Sequence, residues 1–232
     1  MTVLARRALA EFVGTGFLVA AVIGSGIAAT RLSPGQVGLQ LLENSLVTGG
    51  ALLALIVALQ PVSAAFNPLV TLVERALGQL ATRDTITLML AQFAGGIVGV
   101  VVANLMFSLP AVSLSHQHRN SGAHWLGEVV ATLGLLLVIF GAARAGRAER
   151  IAFAVAGYIL AAYWFTSSTS FANPAVTLAR MLSDSFAGIA PASVAGFVLA
   201  QLLGAGLGYL LVRALYPSPA RIYPTPERET TV

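Results

Sequence analysis

The 232 residues are 57% hydrophobic and only 9% charged, with a mean hydropathy of +0.84. Roughly a quarter of an average soluble chain is charged, so this composition excludes a water-soluble globular domain and places most of the chain in lipid. The net charge of +4 comes from thirteen scattered arginines with no lysine and no clustered patch, which argues against a nucleic-acid partner, and the absence of cysteine excludes disulfides, a thiol nucleophile and a thiolate metal site.

A hydrocarbon core about 30 Å thick takes about 20 apolar residues per helical crossing. Apolar runs predict spans at Ala8–Thr30, Gln40–Pro61, Thr85–Leu109, His124–Ala143, Ile151–Thr169 and Pro191–Val212, an all-α integral membrane protein with six crossings and short loops. Arg6-Arg7 ahead of the first run has the look of a secretory or twin-arginine leader, but Glu11 interrupts the neutral core that a leader needs, so this run is read as a retained span. If the N-terminus is inside, Arg6, Arg7, Arg75, Arg83, Arg144, Arg147, Arg150, Arg213, Arg221 and Arg228 lie inside, and only Arg31, Arg119 and Arg180 lie outside. That asymmetry predicts two cytoplasmic termini, and the expected location is the cell (inner) membrane. Residues 216–232 hold Pro217, Pro219, Pro224 and Pro226 among polar residues, which predicts an extended or disordered tail.

The chain repeats itself. Ala10-Glu11-Phe12-Val13-Gly14-Thr15 is echoed by Gly127-Glu128-Val129-Val130-Ala131-Thr132, and Phe66-Asn67-Pro68-Leu69-Val70-Thr71-Leu72 by Ala172-Asn173-Pro174-Ala175-Val176-Thr177-Leu178. Ala91-Gln92 before Gly95-Gly96 is echoed by Ala200-Gln201 before Gly204-Ala205. The halves divide as residues 1–122 and 123–215. Each holds three crossings, so the second copy enters the membrane inverted, a 3+3 repeat about a pseudo-two-fold axis in the membrane plane.

Between the second and third spans of each copy lies a segment opening with Asn-Pro that is too short to cross. Asn is a strong N-cap, and Pro at the first helical position gives up an amide that would lack a partner anyway. Each segment therefore reads as re-entrant backbone followed by a half-length helix, which lipid tolerates only when protein buries it or it lines a water-filled cavity. Inversion brings the two half-helix starts face to face near mid-membrane. One Asn-Pro alone would suit a well-capped surface helix; two at matching places in an inverted repeat do not.

These residues, over about Ala10 to Leu215, resemble the aquaporin and aquaglyceroporin (major intrinsic protein) family. The resemblance implies a homotetramer in the lipid bilayer with a separate pore in each subunit, passing water or small neutral solutes without a cofactor. It implies that Asn67 and Asn173, with Pro68, Pro174, Leu69 and Ala175, form the pore centre and turn amide hydrogens toward the permeant. It also implies that Glu11 and Glu128 hold the re-entrant loops by accepting backbone amides, rather than relaying protons as in a secondary transporter. Leu69 stands where the first box usually ends in Ala, and it either narrows the centre or packs beneath Asn67.

The family's outer constriction normally carries an Arg three residues after the second Asn, where this chain has Val176. Arg180, one turn further on, need not face the channel. The other filter positions carried over are Ser170, Ala161 and either Val47 or Thr48, with Thr48 preferred because Ser63-Ala64-Ala65-Phe66-Asn67 runs one residue shorter than the usual approach. Thr48, Ala161, Ser170 and Val176 would make a filter with no ring and no charge, wider than that of water-selective members or glycerol facilitators. Asn173 to Arg180 and Ser183 to Ile189 most resemble bacterial aquaglyceroporins found with arsenic-resistance genes. The implied substrates are undissociated arsenous acid, glycerol, urea and water.

His116, His118 and His124 could suggest a metal site or a pH gate, but with no carboxylate or cysteine near them in sequence they read as solvated loop histidines and no metal is expected. Gly24-Ser25-Gly26 and Gly204-Ala205-Gly206 lie within apolar spans and read as close helix packing, not phosphate loops. An enzyme is not expected, since the chain lacks His-Glu-x-x-His, Gly-x-Ser-x-Gly and cysteine. The alternative is a secondary transporter, which would share the repeat but needs a central ionisable residue that the Asn-Pro boxes do not provide.

Overall fold

The structure is a computed structural model, and it describes residues 1–216. The expected tail from Pro217 onward lies outside the described residues. In chain order the helices are α1 (Val3–Leu32), α2 (Val37–Leu59), α3 (Pro68–Ala76), α4 (Thr82–Met106), α5 (Gly122–Arg144), α6 (Ile151–Phe165), α7 (Pro174–Arg180) and α8 (Pro191–Leu215). α1, α2, α4, α5 and α8 are long and apolar enough to cross a membrane. α6 is shorter, with 15 residues after a 3-10 turn at Ala148–Arg150, or about 22 Å at the helical rise of 1.5 Å per residue.

The ends follow local chemistry. Thr2 caps α1 by accepting the Ala5 amide at 3.2 Å, and Ser121 caps α5 by accepting the His124 amide at 3.2 Å. The division expected between residues 122 and 123 thus falls in the first turn of α5. The fifth span, expected to reach Thr169, stops at Phe165. Beyond it Thr169, Ser170 and Ala172 take φ values of 61°, 50° and 48°, left-handed geometry that a helix cannot contain. Apolar residues alone could not reveal that the second re-entrant segment begins there.

Close packing within each repeat uses glycine. A Cβ on Gly95 would lie 2.2 Å from the Phe12 carbonyl oxygen, and one on Gly204 would lie 2.6 Å from the Val129 carbonyl oxygen. Only the missing side chain lets α4 lie on α1 and α8 on α5 backbone to backbone. Phe17, Leu90, Leu199 and Leu210 are exposed and leave an apolar outer belt. Inside, Val19, Ile23, Val100, Leu136 and Phe140 fill the core around α3 and α7.

Candidate functional site

Each half-helix begins with a complete cap. The Asn67 side-chain oxygen accepts the Leu69 amide at 3.0 Å, and that of Asn173 accepts the amides of Ala175 at 3.0 Å and Val176 at 3.3 Å. Pro68 and Pro174 occupy the first helical positions. The residues before the asparagines, Phe66 and Ala172, have φ of 49° and 48°, a conformation costly for side chains with a Cβ.

That strained geometry has a use. It presents each preceding carbonyl to the opposite asparagine, so Asn67 Nδ2 donates to the Ala172 oxygen at 2.8 Å and Asn173 Nδ2 to the Phe66 oxygen at 2.7 Å. The repeats are cross-pinned at their centre. A carboxamide nitrogen has two hydrogens, so each asparagine spends one on the opposite loop, and both side chains border one cavity.

The glutamates complete the support. Glu11 accepts from Ser63 Oγ at 2.5 Å, the Ala65 amide at 2.9 Å, the Phe66 amide at 2.7 Å and Gln92 Nε2 at 2.8 Å. Glu128 accepts from the Phe171 and Ala172 amides at 2.8 Å each and from Gln201 Nε2 at 2.6 Å. Gln92 and Gln201 donate onward to Thr71 and Thr177, whose hydroxyls donate to the Asn67 and Asn173 carbonyls. Both carboxylates are fully buried, and ion–dipole bonds to loop amides offset a desolvation that would otherwise be prohibitive. The Gln–Thr relay was visible in sequence only as part of the repeat.

A single cavity runs past both asparagines. Leu18, Val22, Leu52, Leu135, Ile139 and Val155 form apolar wall, and beyond the two asparagines the polar lining is Thr48, Tyr163, Ser170 and Arg180 on the α7 side and Gln60 and Glu74 on the α3 side. Of the two second-span candidates, Thr48 is 3% exposed and borders the cavity whereas Val47 is 46% exposed on the outer face. Ser170 and Val176 border it as well.

Ala161 does not. It lies on the exposed face of α6, and Tyr163, two residues on, enters the lumen and shares a 3.1 Å hydrogen bond with Thr48. Two residues turn a helix by about 200°, the difference between lipid and lumen. Counting back from Asn173 crosses the non-helical stretch 166–172, so the count loses the register of α6. Where only residues without a ring were expected beside Thr48, the aromatic Tyr163 borders the cavity.

Arg180, which from sequence need not have faced the channel, borders the cavity as well. It is 2% exposed, donates from Nε to the Ala187 carbonyl and places its guanidinium carbon 3.4 Å from the centroid of the Phe171 ring. Leu69 packs in the core with 1% exposure and is not among the cavity-lining residues; Ala175 is equally buried.

Residues 107–121 fold over the α7 mouth. The Ser113 and Ser115 amides donate to the Leu182 and Met181 carbonyls, and Arg119 donates from Nε to the Gly188 carbonyl at 3.2 Å. His116 has a carboxylate partner that sequence proximity hid: its ring Nδ1 lies 3.0 Å from Asp184. The His116 backbone amide, and then its ring, hold the Asp184 carboxyl below the ordinary carboxylate range. His118 is exposed and His124 pairs with Ser121 Oγ at 2.8 Å. Among the described residues no group of His, Cys, Asp and Glu is arranged to hold a metal ion.

A sequence profile described as Major intrinsic protein matches residues 2–167. The aquaglyceroporin AqpS of Rhizobium meliloti is 48% identical over 219 residues, covering 94% of this chain and 93% of its own. Aquaporin AqpM of Methanothermobacter thermautotrophicus is 30% identical, covering 79% and 85% of the two chains. The X-ray structure of the aquaglyceroporin from Plasmodium falciparum, 18% identical, superposes with a TM-score of 0.66 over 92% of this chain and 95% of that one.

Proposed function

The chain belongs to the major intrinsic protein family of multi-pass membrane channels, and from that premise we propose that it passes small uncharged solutes passively, with undissociated arsenous acid, glycerol, urea and water as its permeants. The observation that carries this reading is the centre of the lumen. Two neutral asparagines border it there, each with one amide hydrogen not spent on the opposite loop, and Glu11 and Glu128 are spent on loop amides. A coupled transporter needs an ionisable group at its substrate site; here the substrate would meet carboxamides. Members of this family are channels and not enzymes.

The outer filter consists of Thr48, Tyr163, Ser170 and Val176. Ser170 Oγ is buried without a hydrogen-bond partner, so a passing hydroxyl can satisfy it. Tyr163 and Thr48 offer two more hydroxyls on the same lumen, and Val176 an apolar face. A compact solute with several hydroxyls fits this mixture. Among the named permeants arsenous acid is the preferred one, on the strength of Val176 in place of the usual cation and of the resemblance of Asn173 to Arg180 and Ser183 to Ile189 to the second box of arsenic-resistance-associated aquaglyceroporins. The protein sits in the inner membrane as a homotetramer with cytoplasmic termini, which places α3 at the inner mouth and α7 at the outer one; the arginine asymmetry supports that orientation.

The test is a proteoliposome panel measuring swelling or uptake with water, glycerol, urea and arsenite, and with arsenate as the charged control. Passive flux of the neutral solutes with exclusion of arsenate is expected. Accumulation against a gradient that collapses with an uncoupler would replace the channel reading with the transporter.

A further inference from the structure

The loss of arginine at position 176 leaves the α7 mouth without its usual charge, yet a guanidinium borders the same lumen. Arg180 follows Asn173 by seven residues. In the first repeat the seventh residue after Asn67 is Glu74, and it is likewise buried and borders the lumen. This position therefore faces inward in both copies of the fold. Arg180 is fixed there from three directions: Nε bonds the Ala187 carbonyl, the guanidinium carbon lies 3.4 Å from the Phe171 ring centroid, and the Tyr163 hydroxyl is a hydrogen-bonding neighbour. Among the described residues lining the cavity it is the sole cation.

We propose that Arg180 is the charge-selecting residue of the α7 mouth, a cation moved one helical turn outward from the position that Val176 occupies. The proposal rests on the channel reading above and adds the residue that rejects cations. A guanidinium held in a protein-lined, largely apolar passage is screened far less than one in water, so its field reaches a cation entering the lumen. Moving it outward separates two tasks. Val176, Thr48, Tyr163 and Ser170 set the size and hydroxyl chemistry of the constriction, and Arg180 sets its sign. A lumen made this way admits bulkier neutral molecules at the constriction without becoming a cation leak.

A purely structural Arg180, one that only anchors residues 181–190 through Ala187, would serve the fold and not the charge. The two roles separate in proteoliposomes holding matched amounts of full-length protein, with sodium leak and glycerol swelling recorded together. Arg180→Gln is expected to raise the ratio of sodium leak to glycerol flux about tenfold, a barrier change of about 1.4 kcal/mol. Arg180→Lys should keep the leak low because the charge remains. Adding Val176→Arg to Arg180→Gln should restore a low leak, since a cation returns to the mouth from a different backbone position. If Arg180→Gln conducts glycerol and remains as tight to sodium as the parent, the proposal is overturned. If that variant does not reconstitute, Val176→Asp opposes the charge without removing the guanidinium, and an unchanged sodium leak in it overturns the proposal equally. A parent that passes no neutral solute would instead defeat the channel reading.

Discussion

The two re-entrant segments are alike at mid-membrane and different at their mouths. At the centre, Glu11–Gln92–Thr71–Asn67 and Glu128–Gln201–Thr177–Asn173 form the same chain of hydrogen bonds, and the residues before each asparagine share φ to within a degree, 49° and 48°. Toward the mouths the likeness ends. The α3 side is bordered by Gln60, Ala64 and Glu74, and the α7 side by Thr48, Tyr163, Ser170 and Arg180 under the cover of residues 107–121. The reason is physical. Irregular backbone at membrane depth must have its amides satisfied whatever passes through, so the support is duplicated. A mouth meets water, where the cost of change is lower and side chains are free to select.

The strongest way to break the central likeness is Asn67→Asp or Asn173→Asp. Either carboxylate still caps its helix but cannot donate to the opposite carbonyl or to a solute, and it brings a charge to the lumen. Neutral-solute flux should fall at least about tenfold in both variants, with weakened assembly, as the loss of one hydrogen bond to a buried partner and a new charge would each suffice. Stopped-flow swelling checks this, and normal flux in either variant removes the asparagines from the pathway.

Val176→Arg sharpens the difference between the mouths. A second guanidinium one turn before Arg180 would fill the outer lumen, so arsenite and glycerol flux should drop about tenfold while water flux falls less than about twofold. An unchanged arsenite-to-water ratio would show that position 176 does not border the constriction.

A smaller effect separates Tyr163 from Ala161. Tyr163→Phe removes the hydrogen bond to Thr48, worth about 1 kcal/mol, and should change the glycerol-to-water ratio severalfold. Ala161→Phe, on the outward face of α6, should leave that ratio alone. The reverse result would restore Ala161 to the lumen.

The weakest expected effect lies in the cover of the α7 mouth. His116→Ala should cost under about 0.5 kcal/mol, because the pair is exposed and screened. The folded Asp184 carboxyl titrates below its ordinary value of 3.8, so its contribution is present above that value and is lost as pH falls through the depressed one. Thermal melts of parent and variant should therefore differ slightly while the Asp184 carboxyl is ionised and converge below pH 3.8 as it protonates; a difference that persists once the carboxyl is protonated would reverse the assignment.

The sequence by itself determined what is governed by composition and by repetition. Apolar runs placed the spans because lipid demands them, the doubled Asn-Pro placed the half-helices because capping is local, and the paired glutamates could be recognised because they recur with the repeat. Thr48 over Val47 followed from a one-residue difference in the approach to Asn67. Only the tertiary structure decided the rest. Which side of α6 faces the lumen depends on how many residues the non-helical stretch 166–172 consumes, and no periodicity runs through left-handed backbone, so Tyr163 stayed hidden behind Ala161. The inward turn of Arg180 depends on Phe171 and Ala187 converging around it, and the partner of His116 lies 68 positions away. Contacts of that kind arise from packing between elements, and the identity of either residue alone does not carry them.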